Sequence, residues 1–178
     1  MISFVVPAYD EERLHGETLR AIHGAARACD EAYEVIVADD ASSDRTAEVA
    51  ASQGARVVSV AHRQIAATRN SGARAAAGER LIFVDADTIV DETVVRAALE
   101  AMKSGAVGGG AGVRMDGVLP LYARIVTPLL VRVFRFAGLA CGCFVFCTRA
   151  AFDASGGFDE GMFGAEELAF SRALRRQG

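Results

Sequence analysis

Lysine is all but missing from this chain: Lys103 is the only one, and arginine supplies the rest of the 19 basic residues, set against 23 acidic ones. Arginine's planar fork suits carboxylates and phosphates, but compositional bias produces the same imbalance, so nothing follows from it alone. The net charge is −4 and the charges are scattered, leaving no broad basic face. That argues against nucleic acid as the main partner, because such binding rests on neutralising many phosphates. A leader is missing as well: "MISFVVPAYD" has neither a basic stretch nor a cleavage site, so Cys29, Cys141, Cys143 and Cys147 are expected as reduced cytoplasmic thiols. In "CGCFVFC" three of them share a face if the stretch is a strand. No histidine or fourth cysteine lies near enough to finish a zinc site, so buried apolar cysteines are expected. His15, His23 and His62 lack ligand spacing and read as surface or hydrogen-bonded histidines.

A bilayer-spanning run is also absent. "LPLYARIVTPLLVRVFRFAG" (119–138) is strongly apolar but broken by Arg124, Arg132 and Arg135, too short and too charged to cross. On a helical wheel these arginines and Pro128 form one stripe beside a wide apolar face. Such a helix lies on a membrane or packs against protein, a second copy included. From Gly117 to Phe152 there are four arginines and no acid, which would suit an anionic lipid surface.

What is present is ample core: 52% of the 178 residues are hydrophobic, enough for a single globular domain. Short β-branched runs at 2–8, 33–39, 55–61 and 80–86 alternate with Ala-rich amphipathic stretches of helical length, the pattern of a parallel sheet with crossover helices. Helix ends agree: Ser43 can cap "DRTAEVAASQ", Gly54 can close it, Gly78 follows "SGARAAA" and Asp91 can cap "ETVVRAALEAM". Asp39 and Asp44 are further cap candidates near Ser43, and Tyr9 at a strand end could pack in the core. Residues 1–104 therefore read as a nucleotide-binding half. The second half, 105–178, opens with "SGAVGGGAGVRMDG" (104–117), where glycines bend a strand, admit a ligand to the backbone or form a connector.

"LIFVDADTIV" (81–90) brings Asp85 and Asp87 to the carboxyl end of a buried strand, the edge where open α/β sheets bind ligands. Asp39 with Asp40, and Glu166 with Glu167, are two further acidic pairs. Neighbouring carboxylates repel, so gathering them is costly unless a cation or substrate uses them. Hard cations such as Mg²⁺ or Mn²⁺ take one or two carboxylates and leave room for substrate phosphates. The residues thus point to a diphosphate-binding α/β enzyme with a metal near Asp87.

The pieces "FVVPAYDEE", "VIVADDASSD", "ATRNSGARAAAGERLIFVDADT" and "GGFDEGMFGAEELAFSRALRRQG", in this order, resemble family 2 glycosyltransferases. The resemblance implies a GT-A fold of α/β class, with a mostly parallel central sheet flanked by helices, and transfer of a sugar from a nucleotide donor with inversion. By it, Pro7, Tyr9 and Glu11 would line the base and ribose pocket with Ala86, Asp40 and Asp39 would hydrogen-bond the base, and Arg69 would sit near the donor phosphates. Asp85 and Asp87 match the DxD motif, Asp85 toward the ribose and Asp87 on a Mn²⁺ or Mg²⁺ ion. The proton-accepting base usually comes from a Glu-Asp pair, here Glu166-Glu167; Glu167 is the first choice and Glu166 the second. Gly156, Gly157 and Phe158 would shape the acceptor loop. The implied donor is a UDP-sugar and the acceptor belongs to cell-envelope or polysaccharide synthesis, used by a cytoplasmic enzyme, soluble or peripheral to the inner face of the membrane.

The chain stops at "RRQG", where relatives of that kind continue, so a compact member and a fragment are both kept, and with them a sugar-nucleotide binder that is inactive or truncated. Two other readings fail on particular residues. A receiver domain needs a lysine at a strand end, and Lys103 falls in an expected helix. A haloacid-dehalogenase-like phosphatase wants threonine two residues past the second aspartate, whereas Thr88 follows Asp87 directly.

Overall fold

The central strand is apolar on both faces because both faces are covered. In the computed structural model, which describes residues 1–112, 142–162 and 164–177, β1 (Ile2–Ala8) is buried along its whole length. It pairs in parallel with β2 (Tyr33–Asp40) on one side and β4 (Arg80–Val84) on the other, and β3 (Arg56–Val60) extends the sheet beyond β2. Two antiparallel strands complete it: β6 (Phe144–Thr148) pairs with β4 and β5 (Gly108–Gly110) with β6. The order among the described residues is β3-β2-β1-β4-β6-β5. Because β5 and β6 lie beyond residue 104, the second half extends the sheet of the first.

Strand periodicity divides the core. Phe4, Val6, Ile82, Val84, Phe144 and Phe146 face one side, where they meet Leu19 and Ile22 of α1 (His15–Ala28), Ala50 of α2 (Thr46–Ser52) and Val95 and Leu99 of α4 (Glu92–Lys103). Val5, Leu81, Phe83, Val145 and Cys147 face the other, against Ala66 and Ala73 of α3 (Ile65–Ala75), Phe152 of α5 (Arg149–Ser155) and Phe170 and Leu174 of α6 (Glu166–Leu174). Successive strand residues point to opposite faces, which is what sends alternate side chains into two layers. Helix α3 lies close to the sheet: a Cβ at Gly72 would stand 2.5 Å from Val5 Cγ1.

Several local expectations are corrected. Ser43 does not cap α2; its N–H and hydroxyl donate to Asp10 Oδ1, and Asp44 accepts from Thr46 N at 2.9 Å instead. Asp91 does cap α4, accepting from Val94 N, and Gly54 turns the chain at φ +83°. Strand β4 ends at Val84, so Asp85 is already outside it. Cys143 and Cys147 pack against opposite core layers, because β6 starts only at Phe144. Gly108–Gly110 form a strand, in which a Cβ at Gly109 would stand 2.9 Å from the Phe146 ring, and residues 113–117 of the glycine-rich stretch lie outside the described residues. The helix expected over 119–138, with Arg124, Pro128, Arg132 and Arg135, lies outside the described residues, as does Cys141. No helix among the described residues is long and apolar enough to cross a membrane.

Candidate active site

Strands β1, β2 and β4 all end at one edge, and the chain reverses its direction of sheet growth between β1 and β4. Such a switch point leaves a crevice beyond the carboxyl ends of the strands. A cleft of about 480 Å³ opens there, lined by Pro7 and Ala8 at the end of β1 with Tyr9 and Glu11 after it, Asp40 at the end of β2, Arg63, Gln64, Ile65 and Thr68 around the start of α3, and Asp85, Ala86 and Asp87 after β4. The structure thus gathers six of the expected donor-side residues, Pro7, Tyr9, Glu11, Asp40, Asp85 and Ala86, on one cleft together with Asp87. Asp39, Arg69, Glu166 and Glu167 stand outside its lining.

The two loops on the β1 side fasten each other. Asp10 N donates to Ser42 Oγ, Glu11 N to Thr46 Oγ1 at 2.7 Å and Glu12 N to Asp44 Oδ2 at 3.0 Å. Tyr9 is 43% exposed, not core, and the Arg63 guanidinium sits 4.1 Å from its ring centroid. Asp40 is fully engaged. Its Oδ1 accepts from His62 N at 2.6 Å and Arg63 N at 3.0 Å, and its Oδ2 from Gln64 N at 3.2 Å and Thr68 Oγ1 at 2.8 Å. Burial would raise its pKa, but these donors prevail and hold it below the ordinary carboxylate range. With its lone-pair sites filled, Asp40 anchors the segment that carries Arg63. Asp39 is buried with Oδ1 lacking a hydrogen-bond partner among the described residues.

Asp85 and Asp87 flank a turn pinned at both ends, with Asp85 N donating to Cys143 O at 3.2 Å and Thr88 N to Asp85 O at 3.0 Å. Asp87 is exposed, with the Thr88 hydroxyl 3.5 Å away. Asp85 points inward to Arg69; burial outweighs that guanidinium and lifts the Asp85 pKa, with Asp87 and Glu167 adding to the rise. Glu11 is also raised, by burial first and then by Asp87, Asp44 and Asp85. The cleft lining thus sets four carboxylates, Glu11, Asp40, Asp85 and Asp87, against one cation, Arg63. No cage of three or more ligands exists among the described residues, but an exposed carboxylate beside further carboxylates fits a hard cation that takes its other ligands from water and phosphate.

Arg69 is the surprise of the site. It is 1% exposed and far from free for a phosphate: Nη2 donates to Asp85 Oδ1 at 2.7 Å and Gly142 O at 3.3 Å, and Nη1 to Glu166 Oε1 at 2.9 Å and Glu167 Oε1 at 3.3 Å. The Phe158 ring lies 5.3 Å from the guanidinium carbon. Despite the cost of burial, these carboxylates, Asp85 foremost, raise the Arg69 pKa further. Glu166 and Glu167 open α6, where the helix dipole favours negative charge, after Gly164 and Ala165 with φ of +97° and +60°. Their side chains differ: Glu166 is 3% exposed and Glu167 19%.

Residues next to Arg69 on α3 reach other loops. Thr68 holds Asp40, and Asn70 clasps Phe158, donating to its carbonyl and accepting from its N–H, both at 2.9 Å. Gln64 caps the helix, accepting from Ala67 N, and donates to Met162 O at 2.9 Å. Gly142 is as tightly set, since a Cβ there would stand 2.1 Å from Glu167 Oε1. Sequence reasoning gave no role to Arg63, Gln64, Asn70 or Gly142. The signal it could have used is three consecutive polar residues, Thr68-Arg69-Asn70, in an otherwise Ala-rich helix that must pack on a sheet. His15, expected to be exposed or hydrogen-bonded, is fully buried, with the Ala86 backbone beside its ring.

The profile described as Glycosyl transferase family 2 matches residues 3–150, a span that stops short of Glu166 and Glu167. An undecaprenyl-phosphate 4-deoxy-4-formamido-L-arabinose transferase from Pseudomonas fluorescens (strain Pf0-1) is 32% identical over 149 residues, 78% of this chain and 43% of that protein. The chain spans less than half the length of the curated relatives it matches. Among solved structures, the mannosyltransferase PcManGT from Pyrobaculum calidifontis, in complex with GDP-Man and Mn²⁺, superposes with a TM-score of 0.81 at 22% identity, over 99% of this chain and 52% of that one. S. aureus TarS 1-349 with UDP-GlcNAc gives 0.71 at 22% identity, over 97% and 52%. At that identity the likeness speaks to the fold, which is GT-A.

Proposed function

Since the chain belongs to glycosyltransferase family 2, we propose that this glycosyltransferase moves a sugar from a nucleoside diphosphate donor to an acceptor hydroxyl with inversion, using the cleft at the β1–β4 switch point. The observation that carries the reading is the pairing of an exposed Asp87, on a cleft floor with unbalanced negative charge, with a second carboxylate pair reached through one buried arginine. The diphosphate would lie at Asp87. That residue, with Asp85 and Glu11 close by, would hold a Mn²⁺ or Mg²⁺ ion, which would supply Lewis acidity toward the diphosphate. The nucleoside end would lie along Pro7, Tyr9 and Arg63; with Asp40 committed to its own loop, base contacts fall to the Tyr9–Arg63 stack and to neighbouring backbone groups.

Glu167 is the proton acceptor. It is the more exposed of the pair and keeps one carboxylate oxygen outside the Arg69 fork. The acceptor oxygen bonds to the anomeric carbon, the carbon–oxygen bond to the diphosphate breaks, the nucleoside diphosphate leaves with that electron pair, and Glu167 takes the hydroxyl proton. Solved neighbours bind UDP-GlcNAc and GDP-Man; a UDP-sugar is the donor proposed here, with an acceptor in envelope or polysaccharide synthesis. Nucleotide-sugar binding without transfer is favoured instead by the glutamate standing where the family has aspartate. Release of nucleoside diphosphate from UDP-sugars with Mn²⁺ separates the two. Release that Glu167→Gln abolishes while UDP still binds supports transfer, and UDP binding with no release from the parent protein leaves only the binder.

A further inference from the structure

The carboxylates of the donor side and of the acceptor side share one cation, and nothing in the proposed reaction requires that. We infer that Arg69 is a positioning residue that couples the two sides, so that occupation of the donor site at Asp85 and Asp87 tightens helix α6 and sets Glu167 in place. The inference rests on the donor reading above.

The geometry is a fork with no slack. One nitrogen of the guanidinium serves Asp85 and Gly142, and the other serves Glu166 and Glu167. Nε has no partner among the described residues, so the two Nη groups alone aim the plane. At 1% exposure the group cannot turn to water when a partner moves. Its backbone is fixed from both sides, by Thr68 on Asp40 and Asn70 on Phe158. Three carboxylates therefore compete for one positive charge in a poorly hydrated place, where electrostatic attraction is stronger than at a surface.

A cation and diphosphate arriving beside Asp87 compete with Arg69 for Asp85. Whatever attraction Asp85 gives up, the guanidinium redirects to the Glu166–Glu167 pair, whose second member is held at only 3.3 Å. The acceptor base is then fully ordered only when a donor is present. Gly142 belongs to the same device, since its carbonyl takes the fork and its missing Cβ leaves the room that Glu167 fills.

Amide hydrogen exchange over 158–174, measured with and without Mn²⁺ plus UDP or GDP, reads this directly, because ligand-induced ordering slows exchange in the element that tightens. The parent protein should show exchange in the first turn of α6 slowed roughly tenfold, in the range of coupled sites. Arg69→Lys, which keeps the charge and loses the fork, should abolish the slowing at saturating nucleotide. Glu166→Gln should do the same, and it carries the test alone if Arg69→Lys does not fold. Nucleotide binding with no response in α6, or an equal response in both variants, overturns the coupling and leaves the donor site standing. A parent protein that binds neither nucleotide overturns the donor reading and the coupling with it.

Discussion

Gly142 is the residue whose replacement separates folding from function. A Cβ there would overlap Glu167 Oε1, and the obstacle is the tip of a flexible side chain, so the fold can absorb the change by moving the carboxylate. Gly142→Ala is expected to melt within a few degrees of the parent but lose turnover by roughly a hundredfold, the scale of a misplaced reacting group; full turnover would show that Glu167 is not the base. Arg69 behaves in the opposite way. Arg69→Met preserves bulk but strands Asp85, Glu166 and Glu167 around an apolar chain, and breaking a buried ion pair in this manner costs about 3–5 kcal/mol. A urea titration measures it, and a loss under about 1 kcal/mol would mean that the carboxylates relax into water. The sequence pointed to these carboxylates by type and spacing. It could not show that Arg69 holds them, because Asp85 and Glu166 are 16 and 97 residues away from it.

Helices α1 and α3 show how an element prepares the site. Three consecutive side chains of α3 reach Asp40, the Asp85–Glu166–Glu167 group and Phe158, so the helix places both walls of the cleft in one frame. Its Ala-rich pattern was legible as a helix but its ends were not, since Gln64 caps it and it stops at Ala75, short of Gly78, and its long-range work lies in tertiary contacts that periodicity does not encode. Ser43 was misread for the same reason: a serine before a helix is a good cap unless a residue elsewhere, here Asp10, claims it. Helix α1 begins with His15, whose burial pushes its pKa below 6.5, an effect that the Ala86 backbone and the charge of Asp39 offset only in part. The folded protein keeps this ring neutral while the unfolded chain protonates it near pH 6.5, so the unfolded state binds more protons as pH falls. Stability from this group is therefore complete above that pH and declines below it. His23 acts with the same sign. Thermal denaturation from pH 7.5 down to roughly pH 5 should show a smaller loss for His15→Leu than for the parent; parallel curves would show that His15 is hydrated or charged in the fold.

At the scale of the whole molecule, the parallel half was readable because a sheet covered on both faces demands continuous apolar runs, and β1 falls on the expected 2–8. The antiparallel half was not, since "GGG" has no strand signature and the fit of β5 beside β6, where a Cβ at Gly109 would meet the Phe146 ring, is a tertiary contact. The cleft followed from topology: Asp85 and Asp87 were expected at a strand's carboxyl end, and the switch between β1 and β4 puts Tyr9, Glu11 and Asp40 opposite them. The acidic floor of that cleft bears the central claim, that it holds a nucleoside diphosphate through a divalent cation at Asp87. The most direct test is the melting temperature against UDP, GDP and their sugars, with and without Mn²⁺, for the parent and for Asp87→Ala. Ligand at about 100 times its dissociation constant adds roughly 2.7 kcal/mol to stability. The account predicts a rise with UDP that needs Mn²⁺ and vanishes in Asp87→Ala; no rise with any nucleotide, or an undiminished rise in the variant, would contradict it.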